Sequence, residues 1–131
     1  MSAFFDSNIL VCSFESSPRG DIARTLMADG GSIAVQSLNE LALVLRRKYR
    51  RSHAELLINV AEVADMFERP VPLTMDIHRD GLRLAGRYQL AIYDSMLLAA
   101  ALSVNATIFH SEDMADGLVI DDRLTIRNPF G

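Results

Sequence analysis

Asp6, Glu40, Asp94 and Asp113 each stand just beyond an apolar stretch, where a strand should end or a helix begin. Carboxylates hold hard cations and move protons, and four of them from separate segments repel one another unless a cation cancels the charge. In an open, mostly parallel α/β sheet, the crevice beyond the carboxyl ends of the strands is where such groups meet a ligand. The pattern predicts a divalent-metal site and metal-dependent chemistry.

Each position also has a plain structural reading. Asp6, in Phe4-Phe5-Asp6-Ser7-Asn8, could be a turn or N-cap aspartate. Ser37-Leu38-Asn39-Glu40 has the form of a capping box, with Glu40 closing on the Ser37 amide in the first turn of a helix at the carboxyl edge of the sheet. Asp94 falls in the first turn of a helix opening at Ala91-Ile92-Tyr93, where the dipole alone favours an acid by ~0.3–1 kcal/mol. Leu97, Leu98, Ala101 and Leu102 share or flank its face, however, and burying a lone carboxylate there would cost several kcal/mol. A counter-cation explains that neighbourhood better. Asp113 lies in Ser111-Glu112-Asp113-Met114-Ala115-Asp116-Gly117, whose acids could be loop solvation. A calcium loop with Gly117 at its sixth position puts Met114 on a ligand position and fails. Ser111 could hydrogen-bond a ligand, and Asn8 is a supporting polar group.

The elements that must position these residues alternate. Phe4-Phe5 reads as a short buried strand, followed by a helix over roughly residues 20–29 that ends at Gly30-Gly31. A second strand is expected over residues 32–36, then a helix over about 37–48. Ser52-His53-Ala54-Glu55 makes a capping box ahead of a helix over about 54–67. Residues 70–74 form a weak strand, which Pro70 and Pro72 confine to a sheet edge. Helices over about 76–88 and 92–104 follow, the second strongly apolar, then strands at 107–110 and 124–127. This alternation implies a three-layer α/β/α fold around a mostly parallel sheet of about five strands, in a single domain spanning residues 1–131.

Composition narrows the class. Of 131 residues half are apolar and 23% charged, an ordinary globular balance. The longest apolar run, Met96 to Leu102, is too short to cross a bilayer. No signal-peptide pattern is evident and the single Cys12 cannot form an internal disulfide, so a cytoplasmic location is expected. The net charge of −4 argues mildly against nucleic acid, but residues 46–51 hold five cations in six positions. That run is either a solvated helix end or a phosphate-contacting patch, and Arg46, Arg47 and Arg87 are candidates to hold a nucleic-acid backbone. His53, His78 and His110 show no zinc spacing, and no Walker A, dinucleotide fingerprint or nucleophile elbow is present. Receiver domains and haloacid-dehalogenase phosphatases require a late lysine, and none follows Lys48.

The order and spacing of these segments resemble PIN-domain ribonucleases, and more narrowly the VapC-type toxins of bacterial toxin–antitoxin pairs. The likeness runs through Phe5-Asp6-Ser7-Asn8-Ile9-Leu10, Val35-Gln36-Ser37-Leu38-Asn39-Glu40, Tyr93-Asp94-Ser95, Ser111-Glu112-Asp113-Met114 and the closing Ile126-Arg127-Asn128-Pro129-Phe130. The resemblance implies Mg²⁺- or Mn²⁺-dependent cleavage of RNA, with Asp6, Glu40, Asp94 and Asp113 as the metal-binding acids and Ser111 as the hydroxyl of the last motif. It also implies a homodimer and a cognate antitoxin. The rival expectation is a PIN-like binding module whose acids take a basic peptide, without significant nuclease activity.

Overall fold

Phe4 and Phe5 point to opposite faces of the first strand, and that two-residue period organises the molecule. In the computed structural model, which describes residues 2–131, strand β1 (Ala3–Phe5) pairs in parallel with β2 (Ile108–His110). β2 pairs in parallel with β4 (Leu124–Arg127), and the short β3 (Val119–Ile120) closes the edge antiparallel to β4. The order is β1-β2-β4-β3.

Six helices cover the two faces. Phe5 packs with α1 (Ser7–Cys12), α2 (Pro18–Ala28), α3 (Val35–Arg47) and α4 (His53–Asp65), through Ile9, Leu10, Met27, Leu41, Leu45 and Val63. Phe4 packs with α5 (Met75–Tyr88) and α6 (Ile92–Ser103), through Leu84, Leu97 and Leu98, and stacks on Phe109 with ring centroids 5.7 Å apart. The fold is the expected three-layer α/β/α sandwich.

The sheet has four strands rather than about five. The segments expected as strands at 32–36 and 70–74 survive only as single parallel bridges, Phe4↔Ser32 and Ala34↔Val71. α3 begins at Val35 and takes the chain out of the ladder after residue 34. Val71 lies between two prolines that have no N–H to donate, so its own amide, bonded to the Ile33 carbonyl at 2.8 Å, stands alone. Gly31 has φ +148°, and a Cβ there would meet the Ala3 carbonyl oxygen at 2.8 Å and the Phe5 ring at 2.7 Å. Glycine is what lets this segment lie against β1.

Two elements were not foreseen, α1 and β3. The expected capping box at Ser37 is also corrected. Ala34 is the N-cap of α3, and Ser37, fully buried at the third helical position, reaches back to accept the Ala34 N–H at 3.4 Å. Glu40 therefore lies in the second turn and is free of capping. The box at Ser52 forms as expected: Glu55 Oε1 accepts the Ser52 N–H at 2.8 Å and Ser52 Oγ accepts the Glu55 N–H at 3.1 Å.

Candidate active site

Because β1, β2 and β4 are parallel, their carboxyl ends share one edge, and the chain leaves each strand there. The ladder runs one residue further: the Asp6 N–H donates to the His110 carbonyl at 3.0 Å and the Ser111 N–H to the Arg127 carbonyl at 2.9 Å. Asp6 and Ser111 thus become neighbours, and both are buried. α3 starts at the same edge and carries Glu40, and α6 starts there with Asp94 in its first turn.

Asp6 is at once the N-cap of α1 and the centre of the cluster. Its Oδ1 accepts the Ser7 N–H at 2.7 Å, and its Oδ2 accepts Ser111 Oγ at 2.8 Å and Asn8 Nδ2 at 3.2 Å. The Asn8 amide also faces Ser111 Oγ at 3.3 Å and Asp113 Oδ2 at 3.2 Å, which ties the last acid to the first. Ser111 Oγ in turn accepts the Asp113 N–H at 3.2 Å. Ser7 links the third acid. Its hydroxyl has one hydrogen and stands 2.7 Å from Glu40 Oε1 but 3.4 Å from Asp6 Oδ1, so it donates to Glu40. Gln36 Nε2 adds a second donor to Glu40 at 3.2 Å.

Charge is what this arrangement leaves unresolved. Burial pushes the Asp6 carboxyl up from 3.8 to about 6, against the lowering effect of the Ser111 and Ser7 hydrogen bonds, and the charges of Asp94 and Glu40 push it the same way. Asp94 is raised too, first by burial and then by the charges of Glu40 and Asp113. Each of the four acids therefore lies close enough to act on at least one other. Among the described residues none of the four forms an ion pair with an Arg, Lys or His. Nor do three Asp, Glu, His or Cys side chains close on a single point that could hold a metal ion.

The other candidates fall elsewhere. Arg46 and Arg47 are exposed in the last turn of α3, about 9 Å or more along the axis from Glu40, and Arg46 donates to the Arg51 carbonyl at 2.8 Å. Arg87 lies over the Tyr88 ring at 5.3 Å. None of the three touches the acids. Ser7 and Gln36 enter the site without having been foreseen. The signal for Ser7 was present in Asp6-Ser7-Asn8: an aspartate that caps a helix puts the next residue's side chain beside its own carboxylate.

A PIN domain is matched over residues 3–115, which spans the four elements that bring the acids together. The chain belongs to the PIN-domain family. Solved structures agree with this PIN fold over most of their length. A toxin–antitoxin complex from Klebsiella pneumoniae contains a chain that superposes with a TM-score of 0.72 at 20% identity, covering 98% of each chain. VapC20 from Mycobacterium tuberculosis, described as a sarcin–ricin-loop-cleaving toxin, gives 0.67 at 17% identity over 82% of this chain and 87% of its own. VapBC2 from Rickettsia felis, bound to a DNA fragment from its promoter, gives 0.69 at 15% identity over 98% of each chain. No curated protein matches the chain.

Proposed function

We propose that this PIN domain is a metal-dependent endoribonuclease that hydrolyses RNA phosphodiester bonds, and that it acts as the toxin of a toxin–antitoxin pair. The observation that carries this reading is the approach of Glu40, Asp94 and Asp113, from separate elements, to the buried Asp6 carboxylate, which no cation among the described residues faces. An all-oxygen donor set suits Mg²⁺ or Mn²⁺ over zinc. Bound there, the ion would orient the phosphodiester, supply an activated water and offset charge on the attacked phosphate.

The chain's own residues would prepare that site. Ser111 and the Ser7 N–H orient Asp6, the Ser7 hydroxyl fixes Glu40, and Asn8 holds Asp113 toward the other acids. Among the described residues Asp94 accepts no side-chain hydrogen bond, which would leave both oxygens for a cation. The amino end of the twelve-residue helix α6 adds a positive dipole end where phosphate would lie.

A cognate antitoxin belongs to the proposal, supported by neighbours that are toxin–antitoxin complexes. An arginine-bearing tail is a natural inhibitor of a cluster with this much negative charge. A homodimer, a cytoplasmic location and backbone contacts from Arg46, Arg47 and Arg87 complete it; sedimentation tests the first and charge-reversal variants the last.

The test is cleavage of labelled single-stranded RNA by the wild type and Asp94→Asn, each with Mg²⁺ or Mn²⁺ and with EDTA. Cleavage only by the wild type with metal is expected. Wild-type rates from Asp94→Asn, or in EDTA, would refute the assignment. Metal binding without any RNA cleavage would favour the peptide-binding reading instead.

A further inference from the structure

A polynucleotide approaching this site meets four carboxylates on a chain of net charge −4, so a cation at the rim has to hold phosphate against that field. Arg46, Arg47 and Arg87 lie off the cluster. Arg19, next to Pro18 at the amino end of α2, reaches the residue beside Asp113. Its Nη2 donates to Glu112 Oε2 at 2.6 Å, and Glu112 directly precedes Asp113. The Glu112 N–H points to Asn8 Oδ1 at 3.4 Å, on the same Asn8 whose amide group spans Asp6, Ser111 and Asp113. The guanidinium carbon also sits 4.6 Å from the centre of the Phe130 ring. Arg19 is thus held by a carboxylate and an aromatic face while its side chain stays 47% exposed.

We propose that Arg19 binds the RNA backbone at the rim of the acidic cluster, gripping a phosphate with a guanidinium fork that lies against Phe130 and that Glu112 engages when no RNA is bound. This rests on the ribonuclease reading above. The fork has five N–H groups, of which Glu112 and the nearby Cys12 thiol engage only some, and a phosphate presents paired oxygens that match the rest. Glu112 in this scheme is a competitor for the cation, because its charge repels the incoming phosphate. The bland alternative is a rim ion pair that only pins residues 111–113. The two differ in what removing the Glu112 charge should do.

The experiment measures kcat and KM on labelled single-stranded RNA over a range of salt, with Mg²⁺ present. The proteins are wild type, Arg19→Ala, Arg19→Lys and Glu112→Gln, with melting temperatures taken alongside. Arg19→Ala is expected to raise KM about tenfold, the effect of losing one hydrogen bond to a charged group. It should also lower the slope of log KM against log salt by about 0.7–1. Arg19→Lys should restore the slope but only part of KM, and Glu112→Gln should leave KM unchanged or lower it. Equal losses from Arg19→Ala and Glu112→Gln with an unchanged salt slope would overturn the assignment in favour of the loop pin. Should Arg19→Ala fail to fold, the lysine and glutamine variants decide it by the same slopes. A wild type that leaves RNA intact at every salt overturns the ribonuclease reading itself; an active wild type with a slope insensitive to Arg19 overturns this inference alone.

Discussion

Two serines touch the acidic cluster in different ways, and the difference separates stability from activity. Ser111 is fully buried and donates to a carboxylate that is itself buried. Ser111→Ala leaves Asp6 short of a donor and should cost about 1.5–3 kcal/mol of stability near neutral pH, with a further rise in the Asp6 pKa. Ser7 donates to Glu40, which is only half-buried and keeps Gln36 as a second partner. Solvent can replace the lost hydroxyl, so Ser7→Ala should cost no more than about 1 kcal/mol, while cleavage slows about tenfold because Glu40 is no longer pinned beside Asp6. Thermal melts and single-turnover rates on the two variants check both halves, and a Ser7→Ala protein that cuts RNA at full speed would show that Ser7 does not set the pose of Glu40. The acids themselves were legible in the sequence because each follows an apolar run that had to be a strand or a helix start. Their hydroxyl and amide partners were not, since the Ser7 bond to Glu40 depends on α1 turning over α3 and no local pattern encodes that meeting.

α4 and α5, carried by apolar periodicity and side-chain caps, and α6, carried by a long apolar run, lie within about two residues of where the sequence puts them. α1 was hidden because six residues are too few for a helical period to stand out, and β3 because two residues make no alternation. The bridges at Ser32 and Val71 were overstated as strands because apolar content says nothing about how soon a helix removes the chain from the ladder. One contact between elements bears directly on the site. A Cβ at Gly81 of α5 would stand 3.2 Å from the Met96 Cα and 2.5 Å from its sulfur in α6. Helix propensity alone says that Gly81→Ala should stabilise by about 1 kcal/mol. The close approach says the opposite: the Met96 side chain can swing away, but the backbone contact forces α6 outward, and overpacking of this kind costs about 1–3 kcal/mol. A lower melting temperature is expected, with reduced RNA cleavage because Asp94 rides on α6 two residues before Met96. A variant that melts higher than the wild type would mean that the helix pair has slack. Gly86, on the same helix with nothing within 4 Å of an added Cβ, is the control that should gain stability on substitution by alanine.

On the scale of the whole molecule, the fold holds Asp6 and Asp94 where their charged forms are unfavourable, and this makes stability depend jointly on pH and metal. Both carboxyls have folded pKa values above their unfolded ones, so the folded protein binds protons more tightly than the unfolded chain. Without divalent ions, the Asp6 contribution is complete below about pH 3.8 and is lost as pH rises through about 6, and Asp94 acts in the same sense. For Asp6 the difference corresponds to about 3 kcal/mol. Glu55 and Asp121 act in the opposite sense, held low by the Ser52 amide and by Arg83, but they lie outside the cluster and contribute equally with and without metal. They cancel in a difference measurement. A divalent ion binding the ionised cluster should recover what Asp6 and Asp94 lose. The increase in melting temperature on adding millimolar Mg²⁺ or Mn²⁺ should therefore be small near about pH 4.5 and larger near about pH 7.5, where protons no longer compete for the carboxylates. Asp94→Asn removes one of the crowded charges without removing a hydrogen bond, so its metal-free melting temperature at neutral pH should exceed that of the wild type and its metal-induced rise should shrink. An increment independent of pH, or equal in wild type and Asp94→Asn, would place the bound ion somewhere other than among these four acids.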